Sequence, residues 1–252
     1  MQHFYVFNFN KKKRFITILL LGFLTALFIM LDPARLLYVF SKDQKTALTK
    51  GNVNENQVAL TFNISWGEEK VFDILKVLKD HKIQATFFVS GEWAERHPQI
   101  IEKITEGQHE LGMLGYRYES YLDQEIDQVR KDISYAKELF KKLGHDDIKY
   151  IRPPSGHFNK EIIKIAEEQG LEVIHWSVNP NDWENPGTEE ITNYVLDQTK
   201  GGDIVLLHAS DSAKQTAGAL QSILPKIKDN NMTFVTLSAL ISEVETEEKL
   251  VD

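Results

Sequence analysis

A chain of 252 residues with 42% apolar and 26% charged side chains can build one sizeable globular core, which excludes wholesale disorder and a polytopic membrane protein. Its net charge of −8, with the basic residues gathered near the start, argues against nucleic acid, whose phosphates need a basic surface. The absence of cysteine removes disulfides, thiol catalysis and cysteine-bound zinc together.

The chain opens with a basic amino terminus over residues 1–14 that ends in Lys11-Lys12-Lys13-Arg14. An uncharged apolar run follows from Phe15 to Leu31, near the lower length limit for crossing a bilayer. The flanking charges predict a cytoplasmic amino terminus and place everything after Leu31 on the outer side. Two readings of this run stay open, an uncleaved signal anchor and a cleaved signal peptide. The anchor is preferred because no small-x-small cleavage site follows. Residues 32–57 are mixed, increasingly polar and without a sustained period, and read as a linker.

From Val58 apolar runs alternate with amphipathic stretches, as βα units do. Strands are expected at Val58–Phe62, Ala85–Ser90, Glu110–Met113, Ile148–Ile151, Glu172–Val178, Ile204–His208 and Thr233–Thr236. Helices are expected near Glu69–Asp80, Pro98–Glu106, Asp123–Leu143, Lys160–Glu168, Glu189–Thr199 and Ala217–Lys228. Periodicity by itself allows either a closed or nearly closed barrel or a doubly wound open sheet. The domain is expected to end near residue 242, before an acidic tail over 243–252.

In both architectures reactive side chains gather at the carboxyl ends of strands. The first strand ends in Asn63, Ser65 and Trp66, and the third leads to Tyr116-Arg117-Tyr118. The fourth leads to Arg152-Pro153-Pro154, where adjacent prolines stiffen the backbone. The fifth leads to Asn179, Asp182 and Trp183, and the sixth ends in Leu206 and His208, with Ser210 and Asp211 beyond. Each has a plain structural reading as a core histidine, a rigid turn or packing aromatics. No serine sits in a nucleophile-elbow context, which argues against a serine hydrolase.

Taken in order, TFNISWG, HELGMLGYRY, RPPSG, NPNDW and LLH resemble the five-motif series of the polysaccharide deacetylases, the NodB-homology group of carbohydrate esterase family 4. The resemblance runs over about Val58 to Leu240. Details such as ISWG, WAERHP, IRPP and LLHASDSAKQT are similar to the PdaB-type sporulation deacetylases. The resemblance implies an α/β fold, a deformed (β/α) barrel over residues 58–242, tethered to the cell membrane by a single N-terminal pass. The barrel would face peptidoglycan or another N-acetylated glycan, with the spore cortex as the expected setting.

The resemblance also assigns roles. The family's first motif, Thr-Phe-Asp-Asp-Gly, carries the general base and a ligand for a divalent metal, usually zinc; those positions are Asn63 and Ile64 here. The other two metal positions fall on Leu114 and Tyr118. No metal or other cofactor is therefore expected, since a zinc site needs about three protein nitrogen, oxygen or sulfur donors. Arg152 matches the arginine that orients the base, and Asp182 and Trp183 close the Asp-x-x-Asp-Trp motif, whose first aspartate is replaced by Asn179. His208 matches the general acid. Trp66, Tyr118, Pro154, Trp183 and Leu206 would line the glycan groove. Two functions follow: binding of peptidoglycan without turnover, or a metal-free variant of N-acetyl hydrolysis carried by His208, Asp182 and Arg152.

Overall fold

In the computed structural model, which describes residues 13–14, 16–23 and 46–248, with side chains as far as Ser242, the run from Gln57 forms strand β1 (Gln57–Ile64). The strands after it are β2 (Thr86–Val89), β3 (Glu110–Met113), β4 (Tyr150–Ile151), β5 (Glu172–Val173), β6 (Ile204–His208) and β7 (Thr233–Val235). All pair in parallel, in the order β5-β4-β3-β2-β1-β6, with β7 also on β1. Ala59 pairs with both Ile204 and Val235, so β7 lies along the edge of β1 that β2 takes further up.

The sheet curls into a deformed (β/α) barrel, which resolves the choice that periodicity left open. Beyond β5, Val178 bridges Val205 of β6, and the Leu206 N–H donates to the Val178 carbonyl at 2.9 Å. The two ends of the strand order thereby meet. Lower down, Leu48 bridges Ile174 and Lys50 bridges Asp203, and Lys50 Nζ lies 2.7 Å from the Asp203 carboxylate. The stretch expected as a linker over 32–57 thus supplies structure to the barrel from residue 46. Its mixed composition hides this role, because the two bridging residues are one apolar, Leu48, and one charged, Lys50.

Strand alternation sorts the side chains into two cores. Val58, Leu60, Phe62 and Ile64 of β1 face outward and join the cluster under the helices, with Phe87, Met113, Ile151, Val173, Val205 and Leu207. Ala59 faces inward with Phe88, Leu114, Tyr150, Ile174 and Ile204. That parity also turns Thr61 and Asn63 inward. The covering helices are α1 (Lys70–Asp80), α2 (Gly91–Arg96), α3 (Pro98–Glu106), α4 (Ile126–Lys142), α5 (Lys160–Glu168), α6 (Thr188–Gln198), α7 (Thr216–Asp229) and α8 (Leu237–Glu248).

The last helix belongs to the barrel's interior. Leu237, Leu240 and Ile241 join the inner cluster, a burial worth on the order of 5 kcal/mol. The Leu237 N–H donates to Thr86 Oγ1 at 2.9 Å. Glu110 accepts from Thr86 Oγ1 at 2.7 Å and from the backbone and side chain of Ser238. This closes the end of the barrel opposite the strands' carboxyl ends. Helix continues to Glu248, into the expected acidic tail, and residues 249–252 lie outside the described part.

One helix boundary differs from the expectation. Helix α4 starts at Ile126 rather than Asp123, because Gln128 Oε1 accepts from the Glu125 N–H at 3.1 Å, a capping interaction, while Asp123 sits in the preceding 3₁₀ turn. The expected membrane span, Phe15 to Leu31, falls largely outside the described residues. Its helical residues 16–23 expose Ile16, Ile18, Leu19, Leu20, Leu21 and Phe23. Among the described residues, no helix is long and apolar enough to cross a membrane.

Candidate functional site

The inward stack on β1 ends at Asn63, and its in-register neighbour on β6 is His208. Around them opens a cleft of about 450 Å³, lined by Ser65, Trp66, Tyr118, Ser155, Trp176, Asn179, Asn181, Trp183, Leu206, Ser210 and Ser212 as well. This volume is in the usual range for a small-ligand site.

One half of the floor is built on Arg152. Met113 pairs with Ile151, so Arg152 emerges one residue past the end of β4 and turns inward, with no exposure to solvent. Its guanidinium lies 4.1 Å from the centre of the Phe88 ring. Nη1 donates to Asn63 Oδ1, and Nη2 donates to Thr61 Oγ1 and the His175 carbonyl, each at 2.9 Å. All three acceptors are neutral, and Nε has no hydrogen-bond partner among the described residues. Burial pushes the guanidinium down to about 9, so it still carries its charge at neutral pH. A buried cation without a counter-ion is costly.

The other half is built on Asp182, which is fully buried in a 3₁₀ turn between two left-handed asparagines, Asn181 and Asn185. Its carboxylate accepts from the His208 N–H at 2.8 Å, from His208 Nδ1 at 2.7 Å and from Thr216 Oγ1 at 2.6 Å. A carboxylate beside Nδ1 requires the proton on that nitrogen, and Nε2 is the ring nitrogen left for the cleft. The orienting carboxylate of His208 is therefore Asp182. Asn179, at the first position of the same motif, uses its side-chain oxygen to accept the Asn181 N–H at 3.0 Å.

The rim is aromatic. Trp66, Trp183 and Tyr118 are 64%, 50% and 38% exposed, which leaves flat faces free for a ligand. Pro154 does not join them: it is buried in a short turn, and Ser155, held at φ 58°, lines the cleft instead. The turn tucks the proline ring inward as it presents the serine. Leu206 lines the wall, almost wholly buried.

Several supporting residues carry no recognisable motif. Asp211 accepts from the Glu68, Glu69 and Lys70 N–H groups at 3.0, 2.9 and 2.8 Å, caps α1 and clasps the loop that holds Trp66. Burial works against its ionisation, and these bonds overcome that and hold its carboxyl below the ordinary value. Gly67 allows the clasp, because a Cβ there would sit 2.2 Å from the Asp211 carboxyl carbon. Asp132 accepts from the Tyr116 and Arg117 N–H groups at 2.9 Å and from Tyr121 Oη at 2.7 Å, tying down the loop that carries Tyr118. An acidic residue directly beside the apolar stripe of α4 was its only signal.

The positions that the resemblance gives to a metal do not suit one. Ile64 is buried on the outward face of β1, Leu114 is buried in the inner core, and Tyr118 is on the rim. The first two offer no donor atom. Among the described residues, no three histidine, cysteine, aspartate or glutamate side chains are grouped to hold a metal ion.

Comparison with known proteins agrees with this architecture. A profile described as polysaccharide deacetylase matches residues 50–174. The chain is 35% identical over 193 residues to a peptidoglycan-N-acetylglucosamine deacetylase of Bacillus cereus, covering 75% of this chain and 89% of that protein. It is 29% identical to the peptidoglycan-N-acetylmuramic acid deacetylase PdaA of Bacillus subtilis, over 77% of this chain and 75% of that one. Among solved structures, a carbohydrate esterase family 4 pseudoenzyme of Bacillus anthracis superposes with a TM-score of 0.73 at 28% identity, over 77% of this chain and 68% of that one. A mutant of that pseudoenzyme is described as having restored enzymatic activity.

Proposed function

Since the chain belongs to the polysaccharide deacetylase family, the NodB-homology group of carbohydrate esterase family 4, we propose that it binds peptidoglycan and does not carry out metal-dependent deacetylation. The observation that carries this reading is the pairing of Asn63 with Arg152 at 2.9 Å. An amide occupies the place where the resemblance puts the base, and a carboxamide has no useful basicity near neutral pH. The cleft and its aromatic rim remain. The relatives named as acting on peptidoglycan N-acetyl sugars supply the ligand class. Motif details shared with sporulation deacetylases extend the proposal to spore cortex glycan, reached from a membrane anchor at Phe15 to Leu31.

Titration of the full-length protein with chitotetraose and with muropeptides tests the proposal. Saturable heat with either supports it, and no binding to both removes the glycan reading. Stoichiometric zinc in the purified protein would overturn the account of the site.

The intact His208–Asp182 pair favours a second reading, metal-free hydrolysis in which water adds to the acetyl carbon and His208 Nε2 passes that water's proton to the amine as the C–N bond breaks. That reading requires acetate release that disappears in a His208→Ala variant.

A further inference from the structure

A second cavity lies at the closed end of the barrel, opposite the cleft. It holds about 200 Å³ between the starts of β3 and β4, the end of α3 and the first turn of α8, and its polar lining includes His109, Glu110, His145, Asp147, Lys149 and Ser238. That is below the usual range for drug-sized ligands, so it suits a molecule of few atoms. Among the described residues, its side chains are not grouped to hold a metal ion.

One pole of this cavity donates. His109 is 7% exposed, and its Nδ1 accepts the Ala85 N–H at 3.2 Å, so in the neutral ring the proton sits on Nε2. Burial lowers its pKa to about 4, which keeps the ring neutral and that N–H in place near neutral pH. No described residue accepts from it. Gly107 leaves this edge of the ring uncovered, since a Cβ there would lie 2.9 Å from Nε2. Lys149 lines the same cavity, and its ammonium has no ion-pair partner among the described residues.

The other pole accepts. The Glu110 carboxylate takes Thr86 Oγ1, the Ser238 N–H and the Ser238 hydroxyl. A carboxylate has about four acceptor positions, so about one is left for a ligand. Asp147 adds a second carboxylate, also without an ion-pair partner among the described residues. A small anion would meet these two carboxylates, and a small cation would meet Lys149. A ligand that carries both charges meets each with its opposite.

We propose that this cavity binds a small α-amino acid as its zwitterion, the carboxylate on His109 Nε2 and Lys149 and the ammonium on Glu110 and Asp147. The site is separate from the glycan cleft and does not depend on that reading. Its discrimination comes from polar groups that a ligand with one charge leaves unmatched.

Calorimetry on the full-length protein with glycine and with alanine tests it, with acetate, ethylamine and inorganic phosphate as single-charge probes. At least one of the two amino acids should bind saturably and at least about tenfold more tightly than any of the three. Lys149→Gln, which alters an exposed side chain, should weaken that binding about threefold, and Gly107→Ala should weaken it by covering Nε2. In NMR, the His109 Nε2–H resonance should shift on addition of the amino acid that binds. Absence of saturable binding by both amino acids overturns the inference. So does acetate or phosphate binding as tightly as the better amino acid, which would mark a small-anion site only. Binding that leaves the His109 resonance unmoved places the amino acid elsewhere and overturns it as well.

Discussion

Two buried charges sit under one cleft, and their surroundings differ in kind. Asp182 takes three donors, the backbone N–H and ring Nδ1 of His208 and the hydroxyl of Thr216. Arg152 gives its hydrogen bonds to an amide, a hydroxyl and a backbone carbonyl, none of which can carry a balancing charge. The Asp182 side pairs a carboxylate with an imidazole. The Arg152 side has a cation with only neutral acceptors beside it. Orientation is distributed over many contacts, while charge balance resides in one side chain.

The contrast can be broken most directly at Arg152. Arg152→Ala removes a fully buried side chain and three acceptors' partners, and should lower the free energy of unfolding by about 4 kcal/mol in urea titrations. Arg152→Met keeps much of the volume without the charge and should cost much less. Equal losses in the two variants would show that the guanidinium's bonds, and not its bulk, hold the floor.

His109, at the closed end of the barrel, provides a calibration that involves neither floor charge. Its Nδ1 accepts the Ala85 N–H at 3.2 Å, and burial lowers its pKa to about 4 from 6.5. The folded protein refuses a proton that the unfolded chain accepts in this window. Stability is therefore complete above pH 6.5 and falls as pH drops toward 4, by about 3 kcal/mol. A urea series across that range should show the slope, and His109→Gln should flatten it.

Asn63→Asp sharpens the comparison with a smaller effect. A carboxylate within reach of Arg152 Nη1 gives the buried cation a counter-ion and should raise stability by about 1 kcal/mol, seen as a higher melting temperature. A lower melting temperature would mean that Arg152 is not short of charge. The smallest effect is expected at the rim: Trp183→Ala should weaken chitotetraose binding by about fivefold, roughly 1 kcal/mol, and leave thermal stability unchanged because half of that side chain is already in water.

Much of this was legible in the residues themselves. Strand and helix periods located all seven strands, and motif order placed Asn63, Arg152, Asp182 and His208 at one end of them. The burial of Pro154 and the bridging by Leu48 were not legible for related reasons. A turn's inward tuck and the bridging role of Leu48 depend on what lies across the fold, and local composition does not register that. Asp132, and the clasp that Asp211 makes, were not legible because most of their partners are backbone N–H groups, which every residue but proline has.

The sequence by itself determined the family, the alternation that turns Thr61 and Asn63 inward, and the presence of an amide at residue 63, since each depends on residue identity and short-range period. Only the tertiary structure decided that Arg152 stands without a counter-ion, that Asp182 rather than Asn179 orients His208, and that the Asn63 amide turns its oxygen to Arg152. Those outcomes are set by pairings between residues far apart in the chain, such as Arg152 with Asn63 and Asp182 with His208 and Thr216. Hydrogen-bond direction there follows from which partner can donate and which can only accept.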